Sequence, residues 1–170
     1  MATRAGILAL AAAWSAACCA MPATAATQNA SVTANVVKPL SLTSLQSLDL
    51  GTITLKPGSW SGATVGISRA GVFSCANTNL VCTGATQVAI YNVTGTNNQT
   101  IRIAAPDVIL KNLADASKTL TLVVDNPGTL ILPSSGSKGQ NFSLGGSITL
   151  SSAAASGTYQ GTFAVTVDYQ

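Results

Sequence analysis

No histidine and no glutamate occur anywhere in this 170-residue chain. Histidine is the side chain most often used to move protons near neutral pH, so its absence removes the usual general acid or base. Any paired-carboxylate mechanism would have to be built from aspartate alone. The five available, Asp49, Asp107, Asp115, Asp125 and Asp168, fall in separate strands and turns, which reads as solvated turn and edge positions. Serine and threonine abound, but a hydroxyl nucleophile needs an activating base, and only lysine or the amino terminus could serve. No Gly-rich stretch sits between a strand and a helix to cradle phosphate. Neither "DNPG" nor the stretch around Asp115 has the ligand spacing of a calcium loop. No enzyme and no cofactor is expected.

Charge is scarce as well: charged residues make up 8% of the chain, against about a quarter in an ordinary soluble domain. The surface must therefore be made largely of Thr, Ser, Asn and Gly. The basic residues Lys38, Lys56, Arg69, Arg102, Lys111, Lys118 and Lys138 are scattered along the chain. A phosphate backbone rewards clustered positive charge, so nucleic acid is not an expected partner. Aromatics are 5% of residues, too few for a stacking platform. Trp60 in "PGSWSG" could stack on a sugar ring, but the reading favoured here is a plug at the open end of a β-sandwich.

The longest apolar run is N-terminal. "MATRAGILALAAAWSAACCAMPATAA" carries Arg4, an apolar stretch from Ile7 to Met21, and the small-residue site Ala23-Thr24-Ala25. This is the pattern of a secretory signal peptide, residues 1–25, cleaved after Ala25. The run is interrupted by Ser15 and ends at Pro22, short of the roughly 20 residues that a membrane-spanning helix needs. A rival reading makes Cys18 a lipoprotein processing site, although Ser15 stands where such sites normally carry leucine. The expected localisation is export through a periplasm to the extracellular space or cell surface, with no membrane span.

Residues 26–170 are of single-domain size, able to bury about two-thirds of the surface of the unfolded chain. Cleavage removes Cys18 and Cys19 and leaves Cys75 and Cys82, with six residues between them in "FSCANTNLVC". In an oxidising compartment these are expected to form a disulfide across a hairpin tip. A redox pair would be a tighter Cys-x-x-Cys, and two thiols without histidine cannot complete a zinc site, so no metal is expected.

Nearly everything else reads as strand. "ASVTANVV" alternates Ala30, Val32, Ala34 and Val36, while "LDLGTITL" changes parity at Gly51, which predicts a bulge or bend. Further candidates are "ATVGIS", "GVFSC", "QVAIYNV", "QTIRIAA", "TLTLVV", "TLIL" and "SITL", separated by turn signals such as "KPGSWSG", "TGTNN", "DNPG" and "SSGSKGQN". "KNLADASK" is the one helix candidate, barely two turns long, and reads equally well as a loop. In the closing run "GTYQGTFAVTVDYQ", Phe163, Val165, Val167 and Tyr169 share one face. Many short strands with such turns predict an all-β, immunoglobulin-like β-sandwich.

That closing run, with Tyr169 next to last and Gly157 fourteen places from the end, resembles the terminal strand of chaperone-usher fimbrial subunits. The order of "ASVTANVVKPLSL", "LDLGTITL" and the final "GTY-G-F-VTV-Y" pattern is similar to a family of secreted bacterial domains of unassigned function related to those subunits. The resemblance implies a non-enzymatic structural subunit of a surface fimbria or related assembly, its sandwich completed by a donor strand from a neighbour. Its partners would be like subunits, by strand exchange, and a periplasmic chaperone. Ala30, Val32, Ala34 and Val36, within residues 26–37, would be the donor strand. Gly157, Phe163, Val165, Val167 and Tyr169 would belong to the accepting side. The alternatives are that residues 26–37 form an ordinary first strand of their own domain, and that the protein is a self-contained secreted binding or adhesion module. The local Cys75–Cys82 spacing differs from the wider disulfide of the best-known fimbrial subunits and points to a more divergent branch. Intact-mass measurement of the exported protein is expected to give an N-terminus at Ala26, whereas a lipid-modified Cys18 would contradict the signal-peptide reading.

Overall fold

The structure, a computed structural model, describes residues 26–133 and 138–170. The signal-peptide reading, with its processing sites at Ala25 and Cys18, lies outside the described residues, as does part of the "SSGSKGQN" turn. The chain divides into two units, residues 1–35 and 36–170. Of the first, residues 26–35 are described; they are exposed and form no strand.

The second unit is all strand and turn among the described residues. In chain order the strands are β1 Ser41–Gln46, β2 Thr52–Leu55, β3 Ala63–Ile67, β4 Phe73–Ser74, β5 Leu80–Thr83, β6 Ala89–Thr94 and β7 Thr100–Ala104. They continue with β8 Val108–Asn112, β9 Thr119–Asp125, β10 Thr129–Ile131, β11 Gln140–Leu150, β12 Tyr159–Gln160 and β13 Thr166–Tyr169. All pairings are antiparallel. The largest sheet runs β1-β6-β11-β9-β8-β12, with β3 also on β11 and β4 on β3; two smaller sheets are β10-β7-β13 and β2-β5. The result is a β-sandwich, as the strand pattern predicts.

Two apolar clusters fill it. Val93, Ile101, Ile103, Leu132, Phe142 and Leu144 are the bulk of the first, and Val65, Leu80, Leu122, Ile148 and Leu150 of the second. Within the first, Phe142 lies directly opposite Tyr91 across the β6–β11 ladder, with ring centroids 5.7 Å apart and planes 17° from parallel. Such a stacked pair adds about 0.5–1.5 kcal/mol beyond its buried area. Phe163 touches both clusters.

β11 joins the two. It pairs with β6 over Gln140–Leu144, with β9 over Gly145–Ile148 and with β3 over Gly146–Leu150. The handover falls on Gly145 and Gly146, both buried. A Cβ at 145 would overlap the Ile67 carbonyl oxygen and stand 2.5 Å from the Arg69 nitrogen. Only glycine lets the end of β3 approach this closely. The "SITL" strand of the sequence reading is thus the second half of an eleven-residue strand. Its first half is hidden because a Gly-Gly pair reads as a breaker.

Three other segments bear comparison with the sequence reading, and in the last the expectation is corrected. "ASVTANVV" forms no strand; the first strand is β1, which takes the place beside β6. "KNLADASK" is not helical: Lys111 and Asn112 end β8, and the rest is a turn. There the Asn112 side-chain oxygen accepts from the Ala114 amide at 2.9 Å, an Asx-type bond that competes with helix. Cys75 and Cys82 are disulfide-bonded, with Cα atoms 6.3 Å apart, but the bridge does not cross a hairpin. β4 pairs with β3 and β5 with β2, so the bridge ties the β2-β5 sheet to the edge of the largest sheet. Both cysteines pack against the second core. Replacing both by serine removes a short covalent loop and is expected to lower the unfolding free energy by about 2.5 kcal/mol without preventing folding. Urea denaturation with the β-sheet circular-dichroism signal checks both parts.

Candidate functional site

Two strand edges bear on the site. β2 pairs on one side only, with β5, and β12 on one side only, with β8. An open groove of about 920 Å³ is lined by both. Its floor is the inward row of the largest sheet. Leu110 stands opposite Leu120, and Ile148 opposite Leu122, so period-2 alternation on β8, β9 and β11 delivers one apolar face.

One wall is Ser47–Leu55. Here the parity change read from "LDLGTITL" has its structural cause. Gly51 has φ +72°, its amide bonds the Asp49 carboxylate at 2.8 Å, and a Cβ there would stand 2.7 Å from the Thr83 carbonyl. The bend turns Leu48 and Leu50 before it, and Ile53 and Leu55 after it, toward the same second core.

The opposite wall is Ala154–Phe163. It is held by Asn112, the one buried polar side chain of the described residues, 3% exposed. The Asn112 amide donates to the Ser156 carbonyl at 2.9 Å while its oxygen accepts from Ala114. The Leu113 amide donates to the Thr158 carbonyl at 2.9 Å, and the Tyr159 hydroxyl to the Ala155 carbonyl at 2.9 Å. Gly157 has φ +138° and lies against the Asn112 amide so closely that any Cβ would collide. Its place in the C-terminal pattern therefore has a cause inside the domain: it lets the chain pass over a buried asparagine.

The closing run is two strands in two sheets. Tyr159–Gln160 pairs with β8, Thr166–Tyr169 pairs with β7, and the residues between cross from one sheet to the other. The alternation holds throughout, with Phe163, Val165, Val167 and Tyr169 half-buried. Gly157 and Phe163 line the groove. Val165, Val167 and Tyr169 pack instead against the first core. Ala30, Val32, Ala34 and Val36 are all exposed, Val32 at 93% and Val36 at 87%. The groove floor and Asn112 were missed in the sequence. Leu110 and Leu120 flank a stretch that reads as a helix, and a buried asparagine leaves no periodic mark.

Four aspartates make local bonds: Asp49 to Gly51, Asp107 to the Val124 amide, Asp115 to Ser117 and Asp125 to Arg69. The Ser117 hydroxyl and amide hold the Asp115 carboxyl below the ordinary carboxylate range. Trp60 donates its ring N–H to the Lys56 carbonyl at 3.0 Å and packs, partly buried, against the second core. Among the described residues no helix is long and apolar enough to cross a membrane.

These features define an all-β sandwich with a groove, apolar at its floor, between two unpaired strand edges. The chain belongs to a family described as a domain of unknown function, DUF4402, whose model matches residues 40–169 and so takes in every strand from β1 to β13. No curated protein and no solved structure matches the chain. Asn112→Ala leaves the Ser156 carbonyl and the Ala114 amide unpartnered, at an expected cost of about 1–3 kcal/mol. Amide hydrogen exchange should become faster across residues 154–158 while that of β6 and β7 is unchanged.

Proposed function

We propose that this protein is a non-enzymatic structural subunit of a bacterial surface fimbria or related surface assembly, joined to like subunits by strand pairing. The observation that carries this reading is the coincidence of an open groove, apolar at its floor, with a spare alternating segment in one chain. The groove is bordered by β2 and β12, each unpaired on one side. Ala30, Val32, Ala34 and Val36 belong to a stretch that forms no strand, and they are fully open to solvent. Unpaired backbone edges and exposed valines are each a liability in a secreted protein, and an inserted strand from a neighbour removes both at once. Extended at roughly 3.3 Å per residue, residues 30–36 span about 20 Å. The family match begins at Leu40, after this segment. The resemblance of the closing run to fimbrial subunits points the same way, as do the scarcity of charge and the lack of histidine and glutamate. A periplasmic chaperone would cover the groove before assembly.

The test contrasts two substitutions. Val32→Asp would place an unpaired charge in a neighbour's dry groove, at a cost of several kcal/mol, so oligomers should disappear from size-exclusion chromatography and polymers from electron micrographs. The thermal unfolding of the subunit itself should be unchanged. Val165→Asp strikes the first core and should damage folding and assembly together. If Val32→Asp unfolds the subunit as badly as Val165→Asp does, or leaves assembly intact, the self-contained binding module is the better reading.

A further inference from the structure

The hydroxyl of Tyr169 is engaged on both sides. It accepts a hydrogen bond from the Thr96 amide at 2.7 Å and donates one to the Lys38 carbonyl at 2.7 Å. The Lys38 amide in turn donates to the Thr96 hydroxyl at 2.6 Å. Lys38 is thus held through both its backbone groups by a closed triangle of three residues that are distant in sequence. The space around the hydroxyl is tight. A Cβ at Gly95 would stand 2.6 Å from the Tyr169 oxygen and 2.7 Å from a Leu40 methyl. Two residues later Leu40 packs against the first core, and β1 begins at Ser41. Before Lys38, residues 26–37 form no strand and are exposed.

We infer that Tyr169 is a positioning residue that fixes Lys38 as the last anchored residue of the sandwich, so that residues 26–37 are presented as a free strand of set length for pairing with a second copy of this chain. The inference rests on the strand-pairing reading for its purpose, but the anchoring stands on the three hydrogen bonds alone. The length of the tether sets how far an outgoing segment reaches from its sandwich and how much loose chain must be ordered when it pairs with a neighbour. Loss of the latch lengthens the free chain toward Leu40 and removes its fixed point of departure.

Tyr169→Phe keeps the ring against the first core and deletes only the hydroxyl. Two measurements on the purified protein read the outcome. Backbone ¹⁵N order parameters and amide exchange, taken on the monomer, locate the first ordered residue. It is expected at Lys38 in the wild type and at Leu40 or later in Tyr169→Phe, with Lys38 exchange faster by about tenfold. Oligomer formation, followed by size-exclusion chromatography, is expected to slow severalfold in Tyr169→Phe, with thermal unfolding little changed. Thr96→Val, which deletes the acceptor for the Lys38 amide, should move the boundary in the same direction. An ordering boundary that stays at Lys38 in Tyr169→Phe overturns the latch. A boundary that moves while oligomers form at the wild-type rate, in a protein where Val32→Asp still abolishes them, overturns the positioning role and leaves strand pairing standing. Normal assembly of Val32→Asp overturns strand pairing itself, and the presenting role of Tyr169 with it, whatever the order parameters report.

Discussion

The fold depends on one close approach: the backbone of β3 over the Gly145–Gly146 step of β11. That step is where a single strand leaves β6 and takes up β9 and β3. Phe142 and Leu144, before the step, pack in the first cluster, and Ile148 and Leu150, after it, in the second. With it, a chain poor in charge and in aromatic residues gains one continuous interior from two modest clusters. The groove follows from the same step, because the strands that diverge from β11 carry the floor between them.

Much of this architecture is legible in the sequence. Period-2 alternation located β3, β6, β7, β9 and the half-buried face of the closing run, and the parity change at Gly51 located a real bend. The errors have physical sources. Two glycines side by side look like a turn, yet here they are the buried middle of the longest strand. The "KNLADASK" stretch is short enough to read as helix or loop, and Asn112, bonding the backbone ahead of it, closes the turn. Cys75 and Cys82 are near enough in sequence to suggest one hairpin, while their strands pair with different partners. The spare segment was seen as an alternating strand, but alternation describes a face and does not supply a neighbour.

The site itself was only half visible. Gly157 and Phe163 were singled out by pattern, and both line the groove. The opposing leucines on its floor and the asparagine under its wall required knowledge of which strands lie side by side. Tyr169 was marked by its place next to last and by the face it shares with Phe163, Val165 and Val167; its hydroxyl, shared between Lys38 and Thr96, is a relation among three points more than fifty residues apart in sequence.

The disulfide bears on the groove as well. Cys82 lies on β5, the strand that carries β2, and Cys75 lies beside β4 on the largest sheet. The bridge therefore fastens the wall that β2 contributes to the body that supplies the floor. Without the disulfide that wall is held by the β2–β5 ladder, the Asp49–Gln87 bridge and the packing of Leu48, Leu50, Ile53 and Leu55. Oxidation therefore adds a covalent tie to a wall that already packs against the second core, and the groove is held most firmly where the two thiols are joined.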